Sequence, residues 1–108
     1  MHILFLGDVV GRTGREAVIA ALPSLRAELA ADLVVVNAEN ASHGFGLSPE
    51  MAEALLAAGA DAITLGNHAW DRRELAAYIG SQPRLLRPLN FPPGTPGAGA
   101  ALVPLRRG

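Results

Sequence analysis

The chain contains no cysteine and no lysine; all nine of its basic residues are arginine. Without cysteine there is no thiol nucleophile, no disulfide and no thiolate metal site. Without lysine there is no Schiff-base chemistry and no P-loop lysine. A Gly-x-Ser-x-Gly elbow is missing too, which removes the usual serine-hydrolase signature. No apolar run approaches the roughly 20 residues that span a bilayer. The opening MHILFLGD lacks the basic n-region and small-residue cleavage site of a signal peptide, so the cytoplasm is the expected compartment. A formal net charge of −1 offers no basic face for broad binding to a nucleic-acid backbone. What remains for chemistry is carboxylate, imidazole and carboxamide. Those are the ligands of hard and borderline metal ions.

A chain of 108 residues, half of them apolar, suits one small folded domain. Ile3 to Leu6 and Leu33 to Val36 are apolar runs of strand length, and the second is apolar on both faces, as in a parallel sheet covered on both sides. Ala62 to Leu65 is a third strand. Thr13 and Glu16 have the spacing of a capping box, so a helix is expected to begin near Thr13, with Val18, Ile19, Leu22, Leu25 and Leu29 inward and Pro23 kinking or splitting it. Ser48-Pro49 opens a second helix that Gly59 should close. Asp71 and Glu74 resemble another cap pair, opening a short helix to Gly80. Leu85-Leu86 could add a short strand, Pro88 to Gly99 reads as a loop, and Ala100 to Leu105 could form one more strand. This strand–helix alternation is the mark of an α/β fold with a mainly parallel sheet.

In such sheets, reactive groups gather at the carboxyl ends of the strands. The first run leads into Asp8, the second into Glu39-Asn40 and the third into Asn67-His68. Taken singly, each has a structural explanation: a capping Asp, a polar loop entry, a turn whose His bonds to backbone carbonyls. Taken together they require three coincidences on one rim. Two carboxylates there would repel each other unless a cation or a shifted pKa compensates. A cation also explains the amides, as neutral oxygen donors. This oxygen-and-nitrogen set without sulfur suits Mn, Fe, Mg or Zn and does not choose among them; Fe or Mn is the expected pair, with Mg and Zn as alternatives.

These residues also carry a resemblance. GNHAWD resembles the Gly-Asn-His-(Asp/Glu) motif of calcineurin-like metallophosphoesterases. GDVVGRTGR, NAENASHGFGLS, GADAITLGNHAWD and RPLNFPPGTPG resemble the YmdB-like branch more narrowly, in order, from Met1 to about Gly99. That resemblance implies the layered α/β metallophosphoesterase fold, of which this βαβαβα chain is the N-terminal part of a single domain. It implies a phosphodiesterase acting on phosphodiesters, with 2′,3′-cyclic nucleotides as the substrate class and two divalent metal ions. Carried over by position, Asp8 is a ligand of the first metal and Glu39 the bridging ligand. Asn40 and Asn67 bind the second metal, and His68 is the proton donor. His43 follows closely and is either a second-sphere or substrate contact or an exposed loop residue.

Two departures from the superfamily pattern matter. Val10 stands where the wider superfamily has a His ligand, a feature the YmdB-like branch shares. Family members also continue beyond this length, with further His ligands in their second half, whereas the histidines here are His2, His43 and His68. Residues 1–108 alone are therefore expected to hold metal weakly and to show little turnover. Two other classes stay open. Gly7, Gly11 and Gly14 with Glu39 could belong to a dinucleotide-binding module, although their spacing is not Gly-x-Gly-x-x-Gly. A fragment or degenerate paralogue could fold without catalysing anything. An open edge strand would favour self-association, so a homo-oligomer is also open. Arg12 and Arg15 could face phosphate or simply be solvated helix charges. Trp70 reads as a packing anchor, and His2 carries no functional expectation.

Overall fold

The structure is a computed structural model that describes residues 1–44 and 46–105. Strands β1 (Ile3–Leu6), β2 (Leu33–Asn37), β3 (Ala62–Thr64) and β4 (Leu85–Leu86) form one sheet in the order β1-β2-β3-β4. Every neighbouring pair is parallel, with Ile3 opposite Leu33, Val35 opposite Ala62 and Ile63 opposite Leu85. Parallel neighbours cannot be joined by a hairpin, so each return crosses over through a helix. Those helices are α1 (Gly11–Glu28), α2 (Pro49–Ala58) and α3 (Arg73–Tyr78), the last continued by a 3-10 turn over Ile79–Ser81. The α/β class with a parallel sheet is as the alternation implies. No helix among the described residues is long and apolar enough to cross a membrane.

The core lies between the sheet and the helices. Val34 and Val36 of β2, Leu22 of α1, Leu55 of α2, Ile63 of β3 and Leu75 of α3 are fully buried. α1 packs against α2, and α2 against α3, in one layer. The other face of the sheet is different: Ile3 is 59% and Phe5 60% exposed, and Val35 is only half-buried. The expectation of a sheet covered on both faces is thus corrected. Strands added in sequential order by crossovers of one hand put every helix on the same side.

Local signals held where the contacts they imply are local. Ser48 Oγ accepts the Met51 N–H at 3.3 Å, Pro49 occupies the first turn, and Gly59 ends α2. The Thr13–Glu16 capping box does not form. α1 begins two residues earlier, with Val10 as a cap that offers no side-chain bond. A tertiary bond sets that start, because the Gly11 N–H donates to the Asn40 carbonyl at 3.0 Å. Glu16 pairs instead with Arg12, and this contact holds its carboxyl below the usual range. Leu29 closes α1 on the outside, 49% exposed. No strand forms over residues 100–105; among the described residues, the edge beyond β4 is met by a bridge between Leu86 and Ala98.

Pro23 does not split α1, which runs unbroken over 18 residues. Its ring is exposed, but it has no N–H for the Ile19 carbonyl one turn back. An interior proline is about 3 kcal/mol worse than alanine in a helix. Its stiffening of the unfolded chain returns at most about 1 kcal/mol. Pro23→Ala should therefore raise stability by about 2–3 kcal/mol, read as a higher urea midpoint at unchanged slope. A lower midpoint would show that the ring makes a contact worth more than the missing hydrogen bond.

Candidate metal centre

The parallel register carries the polar residues to one rim. Backbone ladder bonds continue past the strand ends: Val9 N–H to Asn37 at 3.2 Å, Ala38 N–H to Thr64 at 3.1 Å and Leu65 N–H to Leu86 at 3.1 Å. The segments bearing Asp8, Glu39-Asn40 and Asn67-His68 therefore leave the sheet side by side.

Two pairs are joined directly. Asn40 Nδ2 donates to both oxygens of Asp8, at 3.0 and 2.8 Å, across 32 positions of sequence. The His68 main-chain N–H donates to Glu39 Oε2 at 3.3 Å. Glu39 lies so close over Gly66 that a Cβ there would collide with both carboxylate oxygens. Any side chain at residue 66 would thus have to displace the Glu39 carboxylate. The His68 imidazole has its own partner, with Nδ1 at 2.7 Å from Asp71 Oδ2. Asn67 is exposed on the same rim, beside the joined pairs and outside both of them.

The surrounding residues sort themselves plainly. His43 is exposed, in the left-handed region at φ 53°, on the tight loop after Asn40. Arg15 Nε donates to the Ala41 carbonyl at 2.8 Å, so it braces that loop, while Arg12 is occupied by Glu16. Trp70 is half-buried with its ring tilted against Phe91 at 6.3 Å, a packing contact. His2 sits at the opposite end of the sheet, with Nδ1 3.1 Å from the Leu29 carbonyl. Asp61, which the sequence reading passed over, is fully buried at that far end. Its only sequence signal was a lone acid between apolar residues.

Whether the rim suits a cation can be judged from its donors. Among the described residues, no three His, Asp or Glu side chains come together as a metal-binding group. Two of the four candidate ligands are amides, so such a group was never to be expected from acids and imidazoles alone. The Asn40 amide is informative. Its nitrogen faces Asp8, as it must beside a carboxylate, and its Oδ1 is buried with no hydrogen-bond partner among the described residues. An unmet buried acceptor costs about 1–3 kcal/mol, and a cation would meet it. Glu39 seated in a space only glycine leaves open, and an all-oxygen donor set with no sulfur, fit the same group.

The chain is 48% identical over 103 residues to the 2′,3′-cyclic-nucleotide 2′-phosphodiesterase of Bacillus subtilis, covering 95% of this chain and 39% of that protein. It superposes on the crystal structure of a hypothetical protein from Thermus thermophilus with a TM-score of 0.83 and 46% identity, over 92% of this chain and 38% of that one. A novel phosphatase from Mycoplasma pneumoniae gives 0.80 and 44%, over 90% and 36%. The chain thus spans less than two fifths of each of these relatives. The family description YmdB-like protein matches residues 4–108, so on sequence and fold the chain belongs to the YmdB-like family.

Proposed function

We propose that this chain carries the N-terminal part of the metal centre of a phosphodiesterase, acting on phosphodiesters such as 2′,3′-cyclic nucleotides. The observation that carries this reading is the Asn40 amide, bonded through nitrogen to Asp8 while its buried oxygen lacks a partner among the described residues. The relatives' activity supports the substrate class, since the Bacillus subtilis protein is a 2′,3′-cyclic-nucleotide phosphodiesterase. Asp8 would hold one divalent ion, Asn40 and Asn67 a second, and Glu39 would bridge the two; we take Fe or Mn as the ions, with Mg or Zn as alternatives, since these donors do not choose among them. Bound ions would supply Lewis acidity toward the phosphate oxygens and a water acidified enough to attack at neutral pH. His68 would give its proton to the departing alkoxide oxygen, and the phosphate ester bond to that oxygen breaks as the new bond to phosphorus forms. The remaining ligands are assigned to the portion of the relatives that this chain does not span. Residues 1–108 alone should therefore bind metal weakly and turn over little substrate. The cytoplasm is the compartment that fits this chemistry, and we keep it as part of the proposal.

The test is titration of Mn²⁺ into the purified chain, beside Asp8→Ala and Gly66→Ala. A side chain at Gly66 must displace the Glu39 carboxylate, so both variants should bind Mn²⁺ at least about 10-fold more weakly. Equal Mn²⁺ binding by all three proteins would overturn the metal site. Hydrolysis of bis-p-nitrophenyl phosphate and of a 2′,3′-cyclic nucleotide, assayed with protein of the relatives' length, tests the reaction. Metal-independent turnover would overturn that part.

A further inference from the structure

Asp71 has the sequence position of a helix cap but not the job. α3 starts at Arg73 with Arg72 before it, and no side chain caps its first turn. The Asp71 carboxylate points back instead, with Oδ2 2.7 Å from His68 Nδ1. That length belongs to a hydrogen bond assisted by charge. The backbone makes the same turn, since the Asp71 N–H donates to the His68 carbonyl at 3.3 Å. A second element backs Asp71 from behind. Gly46 is buried at φ +78°, and a Cβ there would stand 3.1 Å from Asp71 Cβ and 2.8 Å from Arg72 Cγ. The loop that follows Glu39-Asn40 therefore presses against the residue that holds the imidazole. His68 is gripped from both sides: its main chain by Glu39, its ring by Asp71.

We infer that Asp71 is the positioning residue of His68, fixing the ring and its tautomer for proton delivery; the catalytic half of this inference rests on His68 being the acid proposed above. A carboxylate can only accept, so the bonded Nδ1 must carry a hydrogen. The transferable proton is then the one on Nε2. In the step, the Nε2–H bond of the imidazolium breaks, the proton joins the leaving oxygen, and the ring remains neutral with Nδ1–H on Asp71. Without the Asp71 carboxylate to accept from Nδ1, the neutral ring is expected to favour its ordinary Nε2–H form. Triads of nucleophile, imidazole and acid use the same division of labour.

The experiment is nitrogen NMR of the chain labelled with ¹⁵N-histidine. Three histidines make the assignment simple, by single substitution of each. With the rings neutral, His68 should be Nδ1–H in the unsubstituted protein and in Asp71→Asn, whose amide oxygen still accepts. It should be Nε2–H in Asp71→Ala. An Nε2–H ring in the unsubstituted chain overturns the inference without reference to any variant, and so does one tautomer shared with Asp71→Ala. In metal-loaded protein of the relatives' length, Asp71→Ala should lower kcat by about 10–100-fold at similar KM. The loss should be larger for a 2′,3′-cyclic nucleotide, with its alkoxide leaving group, than for bis-p-nitrophenyl phosphate, whose leaving group needs little protonation. A uniform loss for both esters overturns the delivery role. A tautomer switch together with full turnover in His68→Ala would instead leave the pair standing and overturn the acid assignment.

Discussion

Alanine in place of Asp61 should lower the stability of this chain by about 3–5 kcal/mol, the range found when one partner of a buried ion pair is removed. Asp61 is only 1% exposed through its side chain, and Arg26 15%. Arg26 Nη1 donates to Asp61 Oδ2 at 2.8 Å and to the Gly59 carbonyl at 2.7 Å. The same carboxylate oxygen accepts the buried Val34 N–H at 2.9 Å, and Arg84 stands 3.8 Å from its other oxygen. One side chain thus joins α1, β2 and the segment entering β3. Its removal strands a shielded guanidinium and an unmet N–H in the core. A domain's whole stability is about 5–15 kcal/mol, so the loss would consume a large part of it. Asp61→Asn, which retains an acceptor for Val34, should lose less. Urea denaturation followed by circular dichroism checks both. A loss below about 1 kcal/mol for Asp61→Ala would mean that Arg26 relaxes into water and the pair contributes little.

The second large effect concerns turnover. In metal-loaded protein of the relatives' length, His68→Ala should lower hydrolysis by about 10²–10⁴-fold, as expected for loss of a general acid. Metal content should stay unchanged, for a geometric reason. The contact from residue 68 to Glu39 is made by the main-chain N–H, which alanine retains. Asn67→Ala should do the opposite, weakening metal binding by removing a donor. Metal analysis of both variants, beside their kcat, separates the roles. If His68→Ala lost its metal while Asn67→Ala kept it, the two assignments would be exchanged.

Some of this was legible in the sequence and some was not, and the division follows the range of the interactions. Ser48 caps α2 as read because its partner, the Met51 N–H, is three residues away. Thr13 and Asp71 have equally good cap spacing, and neither caps a helix. In each case a contact outside the helix took precedence: Asn40 starts α1 at Gly11, and His68 claims Asp71. Spacing lists the bonds a side chain could make, but competing partners brought in by the fold choose among them. β2 illustrates the same limit for burial. Leu33 to Val36 is apolar throughout, yet only Val34 and Val36 are enclosed, because all the helices lie on one side.

The sequence by itself determined the parallel α/β framework and the rim that Asp8, Glu39, Asn40, Asn67 and His68 occupy. Apolar runs of strand length separated by helix-length segments leave few other topologies, and residues just past those runs must emerge at the carboxyl ends. Only the tertiary structure decided which of these residues touch. It joined Asn40 to Asp8 over 32 positions, laid Glu39 across Gly66, and turned Asp71 toward His68. It also turned Asp61, unremarked in the sequence, into the buried link at the opposite end of the sheet. The physical reason is that periodicity encodes which way a side chain faces relative to its own backbone. What stands opposite it depends on how separate segments pack, and hydrogen bonds of 2.7–3.0 Å are set only then.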